Sequence, residues 1–255
     1  MVFVLAAAGL AGFIDSMVGG GGLIQVPALL TAFPAAMPAA LLGTNKLASI
    51  LGTAGALARY ARDVRVPWKL LLPAAAVALP AAFLGATLVS LVSAAAFRGL
   101  VPVILSIVLL YVLRQKNLGD LHAPFAPSAA RRRAALGCSA AIGFYDGFFG
   151  PGTGSLLMLM FVRLFGFDFL HASAGARLVN VSTNLGALLY FSLQGRVDWT
   201  LGLALGACNT AGSLLGAHTA VKYGSHFVRR VFILVVVTLI VKTAWDAWRL
   251  LGKPV

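Results

Sequence analysis

The sequence predicts an all-α polytopic membrane protein with two repeated halves, each of about four transmembrane helices. The first observation is composition: 60% of the 255 residues are hydrophobic and only 11% are charged, whereas a soluble domain carries about 25% charged residues. The second is a series of long apolar segments with short polar breaks. The third is an internal repeat. This composition excludes a soluble enzyme, a disordered chain and a disulfide-stapled secreted domain.

The first half contains a series of apolar segments, and a spanning helix needs about 20 such residues. The first segment carries Asp15 and ends at a run of four glycines, Gly19 to Gly22, so we expect a broken first helix. No Lys or Arg precedes Lys46, which is unlike a cleavable signal peptide, and we expect the first helix itself to direct insertion. The predicted segments are 2–18, 23–33, 39–58, 68–92 and 97–113.

A polar stretch over residues 114–133 separates the halves. It contains Pro124, Pro127 and three successive arginines, Arg131 to Arg133, and we interpret it as a cytoplasmic linker. We therefore expect one membrane domain over 1–255, with a first repeat at 1–113 and a second at 134–255. The predicted segments of the second half are 134–149, 154–165, 171–193, 199–221 and 227–248, with a Gly-rich break after the first.

The second half repeats the first at an offset of 131 positions. Gly12-Phe13-x-Asp15 recurs as Gly143-Phe144-x-Asp146, and Arg65-Val66-x-Trp68 recurs as Arg196-Val197-x-Trp199. Glycines and leucines match by chance in such a composition, but the Asp, Trp and Arg matches at one fixed offset do not. The chain is therefore predicted to be two copies of one unit.

The orientation of the halves stays open. If each broken first segment crosses once, the halves are parallel; if the break is a re-entrant turn, or if both pieces cross, the halves are inverted. The positive-inside rule places equal numbers of basic residues inside in both arrangements, and broken helices are common in inverted repeats. Both arrangements put the basic loops after Arg59 and Arg114 in the cytoplasm. The net charge of +13 is explained by such loops, and we expect no nucleic-acid partner.

Asp15 and Asp146 are the candidate proton carriers. An ionisable group inside a membrane segment costs about 2.5–3.5 kcal/mol on insertion scales and is commonly functional. Burial favours the protonated form of a carboxylate and a nearby cation favours the ionised form, so such a group can exchange a proton during transport. The alternative is that each Asp caps the broken backbone or neutralises a cation.

The Gly-rich breaks are candidate anion sites. Glycine permits left-handed backbone, and a helix that restarts after a break presents free N–H groups and a positive dipole end. The alternative is close packing between helices. The candidate substrate-binding residues at the two breaks are Gly19, Gly20, Gly21 and Gly22 in the first half and Gly150, Gly152, Thr153 and Gly154 in the second.

Lys46 and Arg177 occupy equivalent positions in the two halves. Two cations at membrane depth need partners. Either Asp15 and Asp146 neutralise them, or they attract an anionic substrate, for which the planar Arg guanidinium suits bidentate recognition. The residue types leave both readings open. The polar neighbours that we include in the candidate substrate site are Asn45, Asn180 and Asn184.

No pattern in the sequence indicates an enzyme, a cofactor or a metal site. Cys138 and Cys208 are far apart and fit no metal or redox spacing, and the four histidines show no ligand spacing. No nucleophile–His–Asp arrangement is present. We therefore expect neither catalytic residues nor a bound cofactor.

The chain resembles the sulfite exporter TauE/SafE family, also called the sulfonate uptake permease family. The resemblance lies in Gly12-Phe13-Ile14-Asp15 running into the four glycines and Pro27, in Gly43-Thr44-Asn45-Lys46, and in the second copies around Asp146 and Asn180. It covers nearly the whole chain. It implies secondary transport of small sulfur-containing anions or related organic acids across the bacterial inner membrane, in a direction that varies between members.

Pro151 and Thr153 stand where the first copy has glycine, so the halves are not expected to contribute equally. Together with this resemblance, the residues predict a multi-pass, proton-coupled inner-membrane transporter of anions such as sulfite, sulfonates or sulfoacetate. Its expected partners are the small anion, protons and the lipid bilayer, and a homodimer is compatible with the sequence. The alternatives are an anion channel and an accessory membrane subunit without flux of its own.

Overall fold

The computed structural model describes residues 1–89, 123–124 and 128–251. Within these ranges the secondary structure is helical and no strand occurs. The predicted segment 97–113, most of the predicted linker, including Arg114 and Pro127, and the end of segment 68–92 lie outside the described residues. The helices are α1 (Val2–Val18), α2 (Gly22–Ala32), α3 (Pro38–Asp63), α4 (Trp68–Thr87), α5 (Ala129–Phe148), α6 (Thr153–Phe165), α7 (Phe169–Leu193) and α8 (Trp199–Leu251).

Local sequence signals explain where several helices begin. Pro38 opens α3 at a position where a missing N–H costs nothing. Asp168 precedes α7, and its carboxylate accepts a bond from the amide of His171 at 2.7 Å. Ser128 caps α5 in the same way through the amide of Arg131 at 3.3 Å. Because of this cap, α5 begins at Ala129, five residues before the apolar segment predicted from position 134.

The last helix is one run with a kink. The predicted segments 199–221 and 227–248 join in α8, and the backbone at Gly224 is non-helical, with φ 74° and ψ −172°. Only glycine adopts this region without strain. The predicted break between the two segments is therefore a local turn inside a continuous helical stretch.

Close helix packing at glycines brings distant parts of the sequence together. α1 packs against α8, and α4 packs against α5 and α7. A Cβ added at Gly12 would lie 2.1 Å from the carbonyl oxygen of Asn209, and one at Gly143 would lie 2.6 Å from the carbonyl oxygen of Ala78. No larger residue fits at such contacts, which are typical of helices that associate in a membrane.

Length and composition alone single out one described helix, α4, as able to cross a membrane. Its 20 residues contain an 18-residue window with a mean hydropathy of 1.9. Three apolar helices, α1, α2 and α6, are shorter than that test requires.

Candidate functional site

Two glycine turns contact each other. The first lies between α1 and α2, where Gly19 and Gly20 have φ of 78° and 106°; the second lies between α5 and α6, where Gly150 and Gly152 have φ of 93° and 85°. A Cβ on Gly19 would be 2.4 Å from the amide nitrogen of Ser155. The turns therefore need glycine both for their backbone conformation and for their mutual contact.

Asp15, at the end of α1, is paired with Arg177 of α7. The guanidinium Nη1 donates to the Asp15 carboxylate at 2.7 Å and to its backbone carbonyl at 2.5 Å, while Nε donates to the carbonyl of Ser173 on its own helix at 3.4 Å. The other Asp15 oxygen accepts from the amide of Gly21 at 3.0 Å. Arg177 is fully buried.

Asp146, near the end of α5, is paired with Lys46 of α3. The Lys46 ammonium lies 2.9 Å from the carboxylate Oδ2 and donates to the backbone carbonyl of Asp146 at 2.7 Å. The hydroxyl of Thr153 lies within hydrogen-bond distance of the other carboxylate oxygen, at 2.9 Å, and of the Gly150 carbonyl, at 2.7 Å. Both charged side chains are buried.

Side chains from other helices satisfy the carbonyl groups at the end of α1. The last four carbonyls of a helix have no partner within it, and burial without a partner is costly. The Ser16 carbonyl accepts from the Tyr60 hydroxyl at 2.9 Å, and the Met17 carbonyl accepts from the Ser173 hydroxyl at 2.8 Å. The Val18 carbonyl accepts from the Ser155 hydroxyl at 2.8 Å. The end of α1 is therefore held by α3, α6 and α7.

A small polar cavity lies between the two turns. Its volume is about 30 Å³, which is room for about two water molecules. Most of the predicted site residues line it, together with four further residues. The lining consists of Asp15, Gly20, Gly22, Val26, Asn45, Lys46, Ser49, Asp146, Phe149, Gly150, Pro151, Thr153, Gly154, Asn180 and Asn184.

Four predicted site residues do not line this cavity: Gly19, Gly21, Gly152 and Arg177. Gly19 packs against the second turn, and Gly21 donates to Asp15. Gly152 precedes α6 in a left-handed conformation. Arg177 lies behind Gly154, because a Cβ on that glycine would be 2.7 Å from Arg177 Nη2.

In this structure each of the two cations, Lys46 and Arg177, is paired with an aspartate. The partners come from opposite halves of the sequence, since Lys46 pairs with Asp146 and Arg177 pairs with Asp15. The four formal charges sum to zero. An anion that enters the cavity must therefore compete with a carboxylate for its cation.

Sequence reasoning missed the residues that hold the end of α1. Ser173 lies one helical turn before Arg177, on the same face of α7, and that spacing predicts a shared partner. Ser155 directly follows the second glycine turn. Nothing in the sequence around Tyr60 indicates its contact with Ser16.

Among the described residues, no three His, Cys, Asp or Glu side chains gather as metal ligands. The cavity offers one ammonium group, amides and hydroxyls, which suit an oxyanion. The carboxylates in it are already bound to cations.

Comparison with known proteins identifies the family. Residues 4–243 match the family described as sulfite exporter TauE/SafE. A probable membrane transporter protein of Sinorhizobium, ORF9, is 37% identical over 96% of this chain and 93% of its own length. YfcA of Escherichia coli K12, also a probable membrane transporter protein, is 35% identical over 93% of this chain and 87% of its own length.

A probable membrane transporter protein of Haemophilus influenzae is 35% identical over 92% of this chain and 91% of its own length. No solved structure matches the chain significantly. The matches cover nearly the whole of this chain and most of each relative, and the relatives are named as probable membrane transporters. The chain belongs to the sulfite exporter TauE/SafE family and is a membrane transporter, not an enzyme.

Proposed function

We propose that this protein is a proton-coupled secondary carrier of small sulfur-containing or organic anions, such as sulfite, sulfonates or sulfoacetate. One observation carries the proposal: a polar cavity with a buried ammonium group, Lys46, lies where the two glycine turns meet. The family description, which names sulfite, supports this class of substrate.

The cavity has the chemistry of an oxyanion site. Lys46 supplies the charge, while Asn45, Asn180, Asn184 and Ser49 supply polar groups around it. Val26, Phe149 and Pro151 line another part of the wall and suit a short organic group. A sulfonate group alone has four heavy atoms, so about 30 Å³ is too small for it. Binding of a sulfonate therefore requires the cavity to widen.

Coupling follows from the paired aspartates. A carboxylate that loses its cation inside a poorly hydrated site favours its neutral form. Asp15 and Asp146 both line the cavity and both hold a cation. An entering anion that displaces an aspartate from its cation therefore favours uptake of a proton by that aspartate.

The architecture that we propose is two repeated units within one multi-pass inner-membrane domain, each with its first helix broken at the glycine turn. Residues related by the 131-position offset make equivalent contacts: Lys46 binds the carboxylate and carbonyl of Asp146, and Arg177 binds those of Asp15. In this arrangement α1 with α2, and α5 with α6, are the two pieces of a broken helix. Assembly as a homodimer remains part of the proposal.

Flux of labelled anions into proteoliposomes tests the proposal. The panel contains sulfite, thiosulfate, sulfoacetate, taurine and methanesulfonate, with chloride and acetate for comparison, each with and without a pH gradient. Saturable accumulation of a sulfur anion, driven by the gradient, is the expected result. Currents far above carrier turnover would indicate a channel. Absence of flux and of anion binding in folded protein would contradict the carrier and leave the accessory subunit.

A further inference from the structure

The two ion pairs at the site are not equivalent in their access to the cavity. Lys46 and Asp146 both line it, whereas Arg177 does not. Gly154 lines the cavity and a Cβ on it would point at Arg177 Nη2, 2.7 Å away. An anion in the cavity can thus reach the Lys46 ammonium directly, while the backbone of Gly154 separates it from the Arg177 guanidinium.

The two cations also differ in what else they hold. Among the residues that the structure describes, Lys46 binds Asp146 alone, through its carboxylate and its carbonyl. Arg177 joins Asp15, its carbonyl and the carbonyl of Ser173, and the Ser173 hydroxyl in turn holds the Met17 carbonyl. Removing Arg177 would leave the Asp15 carboxylate without its cation and would take from the Asp15 carbonyl one of its two donors, the other being the Gly19 amide at 2.9 Å. Separation of Lys46 from Asp146 leaves that network in place.

We infer that Lys46 and Asp146 are the pair that exchanges substrate and proton, and that Arg177 and Asp15 form a fixed clamp on the broken end of α1. The inference rests on the proposed function and deepens it. The site then contains one exchangeable positive charge, so within the proposed substrate class it takes monoanions, such as hydrogen sulfite or a simple sulfonate, in preference to dianions such as sulfoacetate. Each monoanion travels with one proton.

The transport step balances in charge. An entering monoanion takes the place of the Asp146 carboxylate at Lys46, and one proton from the same aqueous side binds Asp146 Oδ2. The site stays neutral, because the anion replaces the negative charge that Asp146 loses. On the other side the anion leaves, Asp146 returns the proton to water, and its carboxylate pairs with Lys46 again.

Few other charged or titratable groups face Asp146. Tyr145 precedes it on α5, Lys46 faces it from α3, Asp15 lines the same cavity from α1, and Arg177 lies beyond Asp15 on α7. The described charged residues of the other packed helices are remote. Lys69 lies nine residues before Ala78, which Gly143 contacts, and Arg163 lies ten residues after Thr153. At a rise of 1.5 Å per residue, each is about 14–15 Å along its helix from that contact point.

The isosteric variants Asp146→Asn and Asp15→Asn provide the matched test. The probe is ³⁵S-methanesulfonate, a monoanion at every working pH, so any pH effect belongs to the protein. Two assays are run in proteoliposomes: exchange of labelled for unlabelled anion without a gradient, and net accumulation driven by a gradient of one pH unit. One proton per anion allows about tenfold accumulation per pH unit.

We expect Asp146→Asn to retain exchange but to lose accumulation, so that its inside-to-outside ratio falls from about ten to one. Asp15→Asn, which loosens the clamp on α1, should lower the rates of exchange and of accumulation together, without separating the two assays. Loss of accumulation in Asp15→Asn with retention in Asp146→Asn would overturn the inference, as would identical behaviour of the two variants. If wild-type protein neither exchanges nor binds any anion of the panel, the proposed function itself fails.

A measurement on wild-type protein keeps the test independent of folding of the variants. In the proposed step the site has the same net charge with and without its bound anion and proton, so transport moves no net charge. The initial rate of methanesulfonate uptake should therefore not change when a potassium diffusion potential of either sign is imposed. A severalfold change in rate with the sign of the potential would overturn the one-to-one stoichiometry while leaving carrier function intact.

Discussion

Gly19 lies so close to Gly154 that a Cβ on Gly19 would be 2.6 Å from the Cα of Gly154. This contact joins the turn after α1 to the turn before α6, and so brings Asp15 and Asp146 to the same cavity. The spacing leaves no room for any side chain at either position. The site therefore depends on the absence of two Cβ atoms as much as on its charged groups.

Gly19→Ala and Gly154→Ala should each destabilise the protein by about 1–3 kcal/mol through overpacking, with a further cost at Gly19 from its positive φ. Gly137→Ala is the matched control, because nothing lies within 4 Å of a Cβ there and alanine favours the helix. Thermal unfolding of the purified proteins in detergent measures the difference. Equal melting temperatures for the three variants would refute the packing argument.

Ser155→Ala should lower stability by about 1–3 kcal/mol, because the buried carbonyl of Val18 loses the hydroxyl that donates to it. Thr219→Ala serves as control, since the Thr219 hydroxyl bonds the Leu215 carbonyl of its own helix at an exposed position. The same unfolding assay applies. A loss no larger than that of the control would mean that water replaces the serine.

Arg177→Gln should destabilise the protein by about 1.5–3 kcal/mol, because the partly buried Asp15 carboxylate loses a charged hydrogen-bond partner. Asp63→Asn removes an ion pair with Arg59 near the end of α3 and should cost less than about 1 kcal/mol, as exposed pairs do. The double variant Asp15→Asn with Arg177→Gln should recover part of the loss. Failure to recover any stability would show that Arg177 acts mainly through the backbone carbonyls.

Asn45→Asp should weaken anion binding at least about tenfold, which corresponds to about 1.4 kcal/mol. The new carboxylate would stand in the cavity beside Lys46, compete for its ammonium group and repel the substrate. Gln194→Glu makes the same change of charge at an exposed position after α7 and should leave affinity unchanged. Saturation of exchange in proteoliposomes provides the affinities, and equal values for both variants would place the anion elsewhere.

Much of the helical layout follows from local sequence. The apolar pattern predicts residues 2–18 and 171–193, and the structure has helices at Val2–Val18 and Phe169–Leu193. The start of α5 differs because Ser128 caps a first turn that hydropathy treats as part of the linker. Hydropathy registers apolar content, whereas a cap stabilises a polar turn through a single hydrogen bond.

The residues of the site were predictable in kind but not in arrangement. An aspartate before each glycine run and a cation in each half are visible in the sequence, and most of them line one cavity. For Arg177 the sequence left open whether it binds substrate or pairs with an aspartate; in the structure it lies behind Gly154 and binds the carboxylate and carbonyl of Asp15. The two cations occupy matching positions at the 131-residue offset, but Lys46 lines the cavity and Arg177 does not.

The sequence by itself determined the class of protein, the family, the helical segments and the positions of the glycine turns, because composition, periodicity and backbone freedom are local properties. Only the tertiary structure decided that Lys46 meets Asp146 and that Arg177 meets Asp15. These partners are at least 100 positions apart in the chain. Their distance is set by glycine contacts between helices, and a shift of a few ångströms would separate the charges.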